Sequence, residues 1–172
     1  KEESLKLWKK EIIRFKEYLE EKFEVEITEE QIREAIRIQN EGRRALKRLY
    51  EVMKNDPTPI SGENLFNVLY GSTFKFDRKK LPEEVNALTD KILKEYAEGK
   101  MEPKKKRILV TGCPIGGATV KVVKSIESNG GVVVAFENWS GAKSIDKLVD
   151  EDNPDVYDAL ARRYLNIGCS VM

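Results

Sequence analysis

Two short apolar runs in the second half of the chain have the pattern of strands, and the second has the pattern of a strand that is covered on both faces. Arg107–Thr111 is rich in aliphatic residues, and Val132–Phe136 is continuously apolar rather than alternating. Between them lie a glycine turn, Gly112–Gly117, and a helical pattern, Ala118–Ser128, which Asn129 and two glycines end. These segments predict one β-α-β unit of about thirty residues with parallel strands.

Residues 1–100 have a different character, because they are rich in Glu, Lys, Leu and Ile at helical spacing. We expect the aromatic residues Trp8, Phe15 and Phe66 in the core. Thr28–Gln31 has the spacing of a capping box, and Ser61 is placed to cap a further helix.

We therefore predict an α/β protein in which an N-terminal helical module precedes the start of a doubly wound parallel sheet of Rossmann or flavodoxin type. The module comprises residues 1–100, and a linker with four consecutive basic residues follows at 101–107. Residues 108–172 form a partial α/β domain, a β-α-β unit plus one helix. Two strands are marginal alone, so we expect a piece of a longer protein that self-associates or pairs with a second subunit.

The composition excludes several classes of function. With 31 basic and 30 acidic residues the net charge is +1, and no aromatic residue interleaves the basic run, so we expect no nucleic-acid partner. No apolar run is long enough to span a membrane. The absence of histidine removes histidine-based triads and general bases. Only Cys113 and Cys169 carry thiols, which favours a reducing, cytoplasmic setting over a disulfide scaffold.

Candidate site residues lie after the two predicted strands, where parallel sheets bind their ligands. Cys113 follows the first strand, and Glu137 and Asn138 follow the second. Gly116 and Gly117 open the next helix, where a ligand could approach backbone N–H groups in a field that favours anions. Each feature has a structural alternative: a cysteine at a strand end is commonly a small buried apolar residue, and the polar residues could cap local structure.

Several sequence blocks resemble one known family, the 2-hydroxyacyl-CoA dehydratases and benzoyl-CoA reductases, which includes 2-hydroxyglutaryl-CoA dehydratase D-components. Within it, the double-cubane cluster proteins are most similar. Three blocks lie in the second half, at Arg107–Gly117, Phe136–Lys143 and Tyr164–Met172. The helical half is similar to the middle region of that family at Phe15–Glu21, Ile27–Ile36 and Pro57–Gly62.

The resemblance implies oxygen-sensitive redox chemistry in the parent protein. Family members hold iron–sulfur clusters through cysteine thiolates, and the dehydratases remove water from 2-hydroxyacyl-CoA by way of a ketyl radical. An ATP-hydrolysing iron–sulfur activator supplies the electron. Carried onto this chain, the resemblance assigns Cys113 and Cys169 as metal ligands. It places six residues in the substrate or cluster environment: Gly112, Gly116, Gly117, Glu137, Asn138 and Ser61.

This chain departs from the family pattern at two positions. Trp139 and Val171 stand where some relatives have cysteine, and two thiolates are fewer than the four ligands that a cubane typically takes. We therefore expect the cluster in the parent protein and not in this stretch alone. Two other functions stay open: an ATP-dependent double-cubane reductase of small molecules, and a non-catalytic helical interaction module that has lost its cluster.

Overall fold

The computed structural model describes residues 2–112, 118–137 and 141–167. Four helices come first, then a strand, a helix and a second strand, and two further helices. Their bounds are α1 Glu2–Phe23, α2 Glu29–Glu51, α3 Gly62–Ser72, α4 Leu81–Ala97, β1 Lys106–Thr111, α5 Ala118–Ser128, β2 Gly131–Glu137, α6 Ala142–Ile145 and α7 Val156–Leu165. A short 3-10 turn, Val52–Lys54, follows α2.

One compact unit comprises Lys1–Asn40 and Lys147–Met172, with α1, the first part of α2 and α7 as its helices. The rings of Trp8 and Tyr164 lie 5.7 Å apart where α1 packs on α7. The buried apolar cluster of this unit is small and comes from α2, α7 and the segment before α7: Ile36, Val149, Val156 and Ala159.

Two polar side chains fix the segment that leads into α7. Asn40 is fully buried; its Oδ1 accepts from the N–H of Val149 at 3.0 Å, and its Nδ2 donates to the carbonyl of Val149 at 2.8 Å. Asp155 is the N-cap of α7 and accepts from two N–H groups of the first turn. The ammonium of Lys9, which binds the Asp155 carboxylate, is the largest cause that lowers the pKa of that carboxyl.

The other compact unit, Glu41–Asp146, contains the sheet and the larger core. Its core combines residues of α2, α3, α4, α5 and β2, and the most completely buried members are Leu49, Leu65, Val123, Val133 and Phe136. The ring of Phe66 in α3 lies 5.5 Å from that of Phe136 in β2. The helical segment and the strands therefore share one apolar core within this unit.

β1 and β2 pair in parallel, with Lys106 opposite Gly131 and Thr111 opposite Glu137. The register shifts between Ile108 and Leu109, which is typical of a β-bulge. β2 is largely buried, whereas β1 is more exposed, with Leu109 at 56%. The two strands therefore differ in how far other elements cover them.

Two N–H groups of β2 are bound by side chains instead of by β1. The N–H of Val133 donates to a carboxylate oxygen of Glu127 at 3.2 Å, and that of Phe136 donates to the hydroxyl of Tyr50 at 2.5 Å. Strand edges with unpaired N–H groups invite further strands, so these two side chains protect the edge of β2.

The predicted α/β class is confirmed, with helices first and a parallel β-α-β unit after them. The capping box is confirmed by bonds in both directions between Thr28 and Gln31. Phe66 is buried as expected, but Phe15 is 61% exposed, so its predicted core position is wrong. α1 contacts α7, and none of its described residues is buried. The predicted boundaries at residues 100 and 107 stay a prediction.

Across the described residues, none of the helices combines the length and the apolar character that a membrane crossing needs.

Candidate functional site

The carboxyl ends of β1 and β2 bring three residues of the resemblance blocks together. Thr111 and Glu137 are the last residues of their strands and face each other in the register, and Gly112 follows directly. Glu137 and Gly112, both predicted site residues, therefore lie at one edge of the sheet. This is the edge at which parallel sheets bind ligands.

The carboxylate of Glu137 is bound by two segments of the chain, the end of β1 and α6. The hydroxyl of Thr111 donates to Oε2 at 2.6 Å, and the ammonium of Lys143 in α6 lies 3.0 Å from Oε1. The backbone N–H of Gly112 makes the smallest contribution to the lowered pKa of Glu137. The Thr111 hydroxyl is the largest cause that lowers the pKa of Glu137, and Lys143 comes next.

The lowered pKa limits the chemistry that Glu137 can perform. A general base works best when its pKa lies near the operating pH, and these donors move the Glu137 carboxyl in the other direction. Glu137 is therefore an ionised carboxylate beside the ammonium of Lys143, and it is suited to fixing the positions of Thr111 and Lys143.

Two glycines at this edge are needed for different reasons. Gly112 has φ +106°, a left-handed conformation that side chains rarely adopt. At Gly141 a Cβ atom would lie 2.3 Å from the carbonyl oxygen of Phe136, so a side chain there would collide with the backbone of β2. Gly112 thus permits the turn that follows β1, and Gly141 permits the close contact with the backbone of β2.

Tyr50, at the end of α2, contacts the residue before Glu137. Its hydroxyl accepts from the N–H of Phe136 and lies 3.4 Å from the carbonyl oxygen of the same residue. Burial raises the pKa of Tyr50, so the phenol is neutral near pH 7 and keeps its proton. Tyr50 of α2 therefore binds β2 at the edge opposite to the one that pairs with β1.

Ser61, another predicted site residue, is the N-cap of α3. Its hydroxyl accepts from the N–H of Asn64 at 3.2 Å. The next residue, Gly62, donates its N–H to the carboxylate of Glu127 at 2.7 Å. The described contacts of Ser61 are those of a helix cap, and its assignment to the site stays a prediction.

The remaining predicted site residues lie outside the described ranges: Cys113, Gly116, Gly117, Asn138 and Cys169, together with Trp139. Within residues 2–112, 118–137 and 141–167, no group of three or more Cys, Asp or Glu side chains is arranged to hold a metal ion. The whole chain has two cysteines and no histidine. Its own donors therefore do not complete the four-ligand set of a cubane cluster.

An open apolar groove of about 430 Å³ lies between α3 and α4. Its apolar walls come from both helices and the loop that joins them: Val68, Phe74, Leu81, Val85 and Leu88. The ion pair of Lys75 and Glu84 closes one part of the rim.

The sequence did not single out Thr111, Lys143 or Tyr50. For Thr111 and Lys143 a signal existed, since both belong to the resemblance blocks and flank the strand ends. Tyr50 had no such signal, because it lies 86 residues from Phe136 and carries only the pattern of a helix face.

Comparison with known proteins identifies a matching family and a curated relative. The sequence model of the family described as "2-hydroxyglutaryl-CoA dehydratase, D-component" matches residues 1–172. The "Putative dehydratase subunit YjiM" of Escherichia coli (strain K12) is 47% identical over 164 residues, which cover 95% of this chain and 43% of that protein. The chain thus spans less than half the length of this curated relative.

Proposed function

Because the chain belongs to the 2-hydroxyglutaryl-CoA dehydratase D-component family, we propose that it is part of a dehydratase subunit that removes water from 2-hydroxyacyl-CoA thioesters. The observation that carries this proposal is the family match over residues 1–172. The similarity to a dehydratase subunit at 47% identity supports it. The activity belongs to the whole protein, of which this stretch supplies a helical segment and the start of a parallel sheet.

The proposal includes partners that lie outside this chain. A dehydratase of this kind works with a second subunit, with an ATP-hydrolysing iron–sulfur activator and with an acyl-CoA substrate. A reducing, cytoplasmic setting suits this chemistry, because it keeps cysteine thiols available.

An iron–sulfur cluster is the proposed cofactor of the parent protein. Cys113 and Cys169 would supply two of its thiolates, and the other ligands would come from residues outside this stretch, since two donors do not complete a cubane. When bound, such a cluster supplies low-potential electrons. In the sequence, Cys113 follows Gly112, which comes directly after the last residue of β1.

The experiment is anaerobic reconstitution of the full-length protein with iron and sulfide. Cys113→Ser and Cys169→Ser should each lower the iron content and the visible charge-transfer absorbance. Met101→Ser is the control, because it removes a sulfur atom from an exposed side chain and should leave both values unchanged. Wild-type iron content in both cysteine variants would show that the ligand assignment is wrong.

A second candidate function is a non-catalytic subunit that keeps the fold without a cluster. The observation that favours it is the short donor set, with Trp139 where double-cubane relatives have cysteine. A full-length protein that binds its partner subunit but takes up no iron after reconstitution would support this candidate. Iron at cluster stoichiometry would exclude it.

A further inference from the structure

The loop between α3 and α4, residues 73–80, carries aromatic side chains that the described part of the chain leaves open to solvent. Phe74 is 69% exposed, and Phe76, two residues later, is fully exposed. The ring of Phe74 lies 5.1 Å from that of Tyr70, which stacks on the buried Phe66 at 5.6 Å. A row of aromatic rings therefore leads from the core of this unit to the surface of this aromatic loop.

Polar contacts hold the aromatic loop against both of its helices. The guanidinium of Arg78 donates to the carbonyl oxygens of Ser72 at 2.8 Å and Thr73 at 3.0 Å, which ties the loop to the end of α3. The ammonium of Lys75 donates to the carboxylate of Glu84 in α4 at 2.7 Å. A surface whose shape is already fixed loses less conformational entropy when it binds a partner. The exposed rings are therefore preorganised for contact.

The groove between α3 and α4 lies directly beside these rings. Phe74 and Lys75 belong to its lining, together with the buried side chains of Leu81 and Val85. Its volume of about 430 Å³ is larger than that of apolar cavities of about 150 Å³ that hold a benzene ring. One surface thus carries a projecting ring, that of Phe76, and a groove that can receive such a ring.

A surface that carries both a projecting ring and a matching groove suits a second copy of itself. In a two-fold dimer the same patch is used on both subunits, so each contact between a ring and a groove is made twice. The charges permit this pairing, because residues 75–84 comprise four basic and three acidic side chains and the net charge of the chain is +1. A strongly charged partner would find no complementary field on such a surface.

The exposed aromatic area is substantial for an interface between two copies. Tyr70, Phe74 and Phe76 are 48%, 69% and 103% exposed. Since a buried aromatic side chain removes about 150–250 Å² from water, these rings offer about 400 Å² in each copy. Two copies would bury about 800 Å² from the rings alone, which is half of the roughly 1,600 Å² of a standard interface. The groove walls and the charged rim would supply the remainder.

We propose that the aromatic loop and the groove between α3 and α4 form a two-fold interface between two copies of this protein. In this interface Phe76 of each copy enters the groove of the other. The inference goes beyond the proposed function, and it needs neither a metal nor a substrate. The main alternative occupant of the groove is a segment of the same polypeptide outside this stretch, and the experiment below distinguishes the two.

The test is sedimentation velocity on the full-length protein over a concentration range of about 0.1–50 µM, in which the wild type should dimerise. Phe76→Asp should raise the dissociation constant about 100-fold or more, because a two-fold dimer loses a central aromatic contact twice. Gly71→Leu should also weaken the dimer by filling the groove, and α3 accommodates it because a Cβ atom there meets no atom within 4 Å. Phe15→Asp is the matched control: it removes a ring that is 61% exposed from α1 and should leave the dissociation constant unchanged.

A mixture of the two interface variants tests the two-fold geometry directly. The Phe76→Asp copy keeps an open groove and the Gly71→Leu copy keeps its projecting ring, so a mixed dimer retains one of the two contacts. Its dissociation constant should lie between that of the wild type and those of the single variants. A mixed dimer no tighter than either variant alone would contradict the two-fold arrangement.

Two further results would overturn the proposal. One is a wild-type protein that stays monomeric over the whole range, or a Phe76→Asp dimer as tight as that of the wild type. The other is a lower free energy of unfolding in Phe76→Asp with no change in association, which would identify a segment of the same polypeptide as the occupant of the groove. Because these measurements involve no iron, a failure of the protein to bind iron would count against the proposed function and leave this inference intact.

Discussion

The contact between α3 and β2 leaves no room for a side chain at Gly62. A Cβ atom there would lie 2.3 Å from the carbonyl oxygen of Val133, 2.6 Å from its Cβ and 2.8 Å from a carboxylate oxygen of Glu127. Two of these three atoms belong to the strand and cannot rotate away. Gly62→Ala must therefore push α3 and β2 apart or tilt the helix.

The cost follows from two effects. Overpacking of a buried contact destabilises by about 1–3 kcal/mol, and the rigidity of the Val133 atoms places this case in the upper part of that range. Displacement also weakens the bond from the Gly62 N–H to Glu127, worth about 1 kcal/mol. We expect Gly62→Ala to lower the free energy of unfolding by about 3 kcal/mol, because helix propensity gains little at the first helical position.

Gly71 in the same helix is the matched control. A Cβ atom there would meet no atom within 4 Å, and its backbone is helical. Gly71→Ala should stabilise by about 0.5–1 kcal/mol, because alanine restricts the unfolded chain and favours the helix. We therefore expect Gly62→Ala to lower the free energy of unfolding and Gly71→Ala to raise it, although both add one methyl group to the same helix.

The assay is urea unfolding followed by far-UV circular dichroism, with the slope m checked for each variant. Amide exchange in α3 provides a second measurement that reports on this unit alone. A Gly62→Ala variant as stable as wild type, at unchanged m, would refute the close contact between α3 and β2. Destabilisation of the same size in Gly71→Ala would show that the helix tolerates no change at all and would refute the steric reasoning.

Four other substitutions test the remaining contacts. Asn40→Ala should cost about 2–4 kcal/mol in urea unfolding, because it leaves both backbone groups of Val149 buried without the side-chain amide. Because the pKa of Asp155 is lowered in the folded protein, its ionised carboxylate stabilises the fold fully above the ordinary pKa of aspartate, and this stabilisation is lost as the pH falls through the folded pKa. Asp155→Asn should therefore make the stability of α7 less dependent on pH below about pH 4. Lys9→Met should weaken the same pH dependence. Tyr50→Phe removes the acceptor of a β2 N–H and should cost about 1–2 kcal/mol.

Substitutions at exposed positions serve as controls for Asn40→Ala and Tyr50→Phe. Gln39→Ala changes the exposed neighbour of Asn40, and equal losses at both positions would contradict a special role for the buried amide. Tyr18→Phe removes a hydroxyl from a residue that is 57% exposed and should be neutral. An acid profile of α7 that is the same in wild type and Asp155→Asn would contradict the cap and ion-pair account.

Local signals in the sequence predicted the local features of the fold. The capping box at Thr28 and the cap at Ser61 join atoms three residues apart, and both were found where the spacing placed them. The parallel pair followed from two continuous apolar runs around one helix. Long-range contacts had no comparable signal: Glu127 reaches Gly62 across 65 residues, and nothing in the helical pattern of α5 marks it as a cap for α3.

The candidate site shows the same division between local and distant information. Strand order places Gly112 and Glu137 at one edge, so their proximity was predictable. That Glu137 serves as an acceptor for Thr111 and Lys143 depends on the register of β1 against β2, which includes a shift after Ile108. A shift of one residue turns every later side chain to the other face, so the partners of Glu137 could not be read from the sequence.

The two carboxylates of the β-α-β unit should respond differently to mutation because they are bound to different kinds of structure. Glu127 joins α3 to the buried strand β2, so its loss spreads into the apolar core that contains Val133. Glu137 binds exposed groups at the strand ends, and the core does not depend on it. Substitution of Glu127 should therefore lower global stability, whereas substitution of Glu137 should disturb only Thr111 and Lys143, with little effect on unfolding.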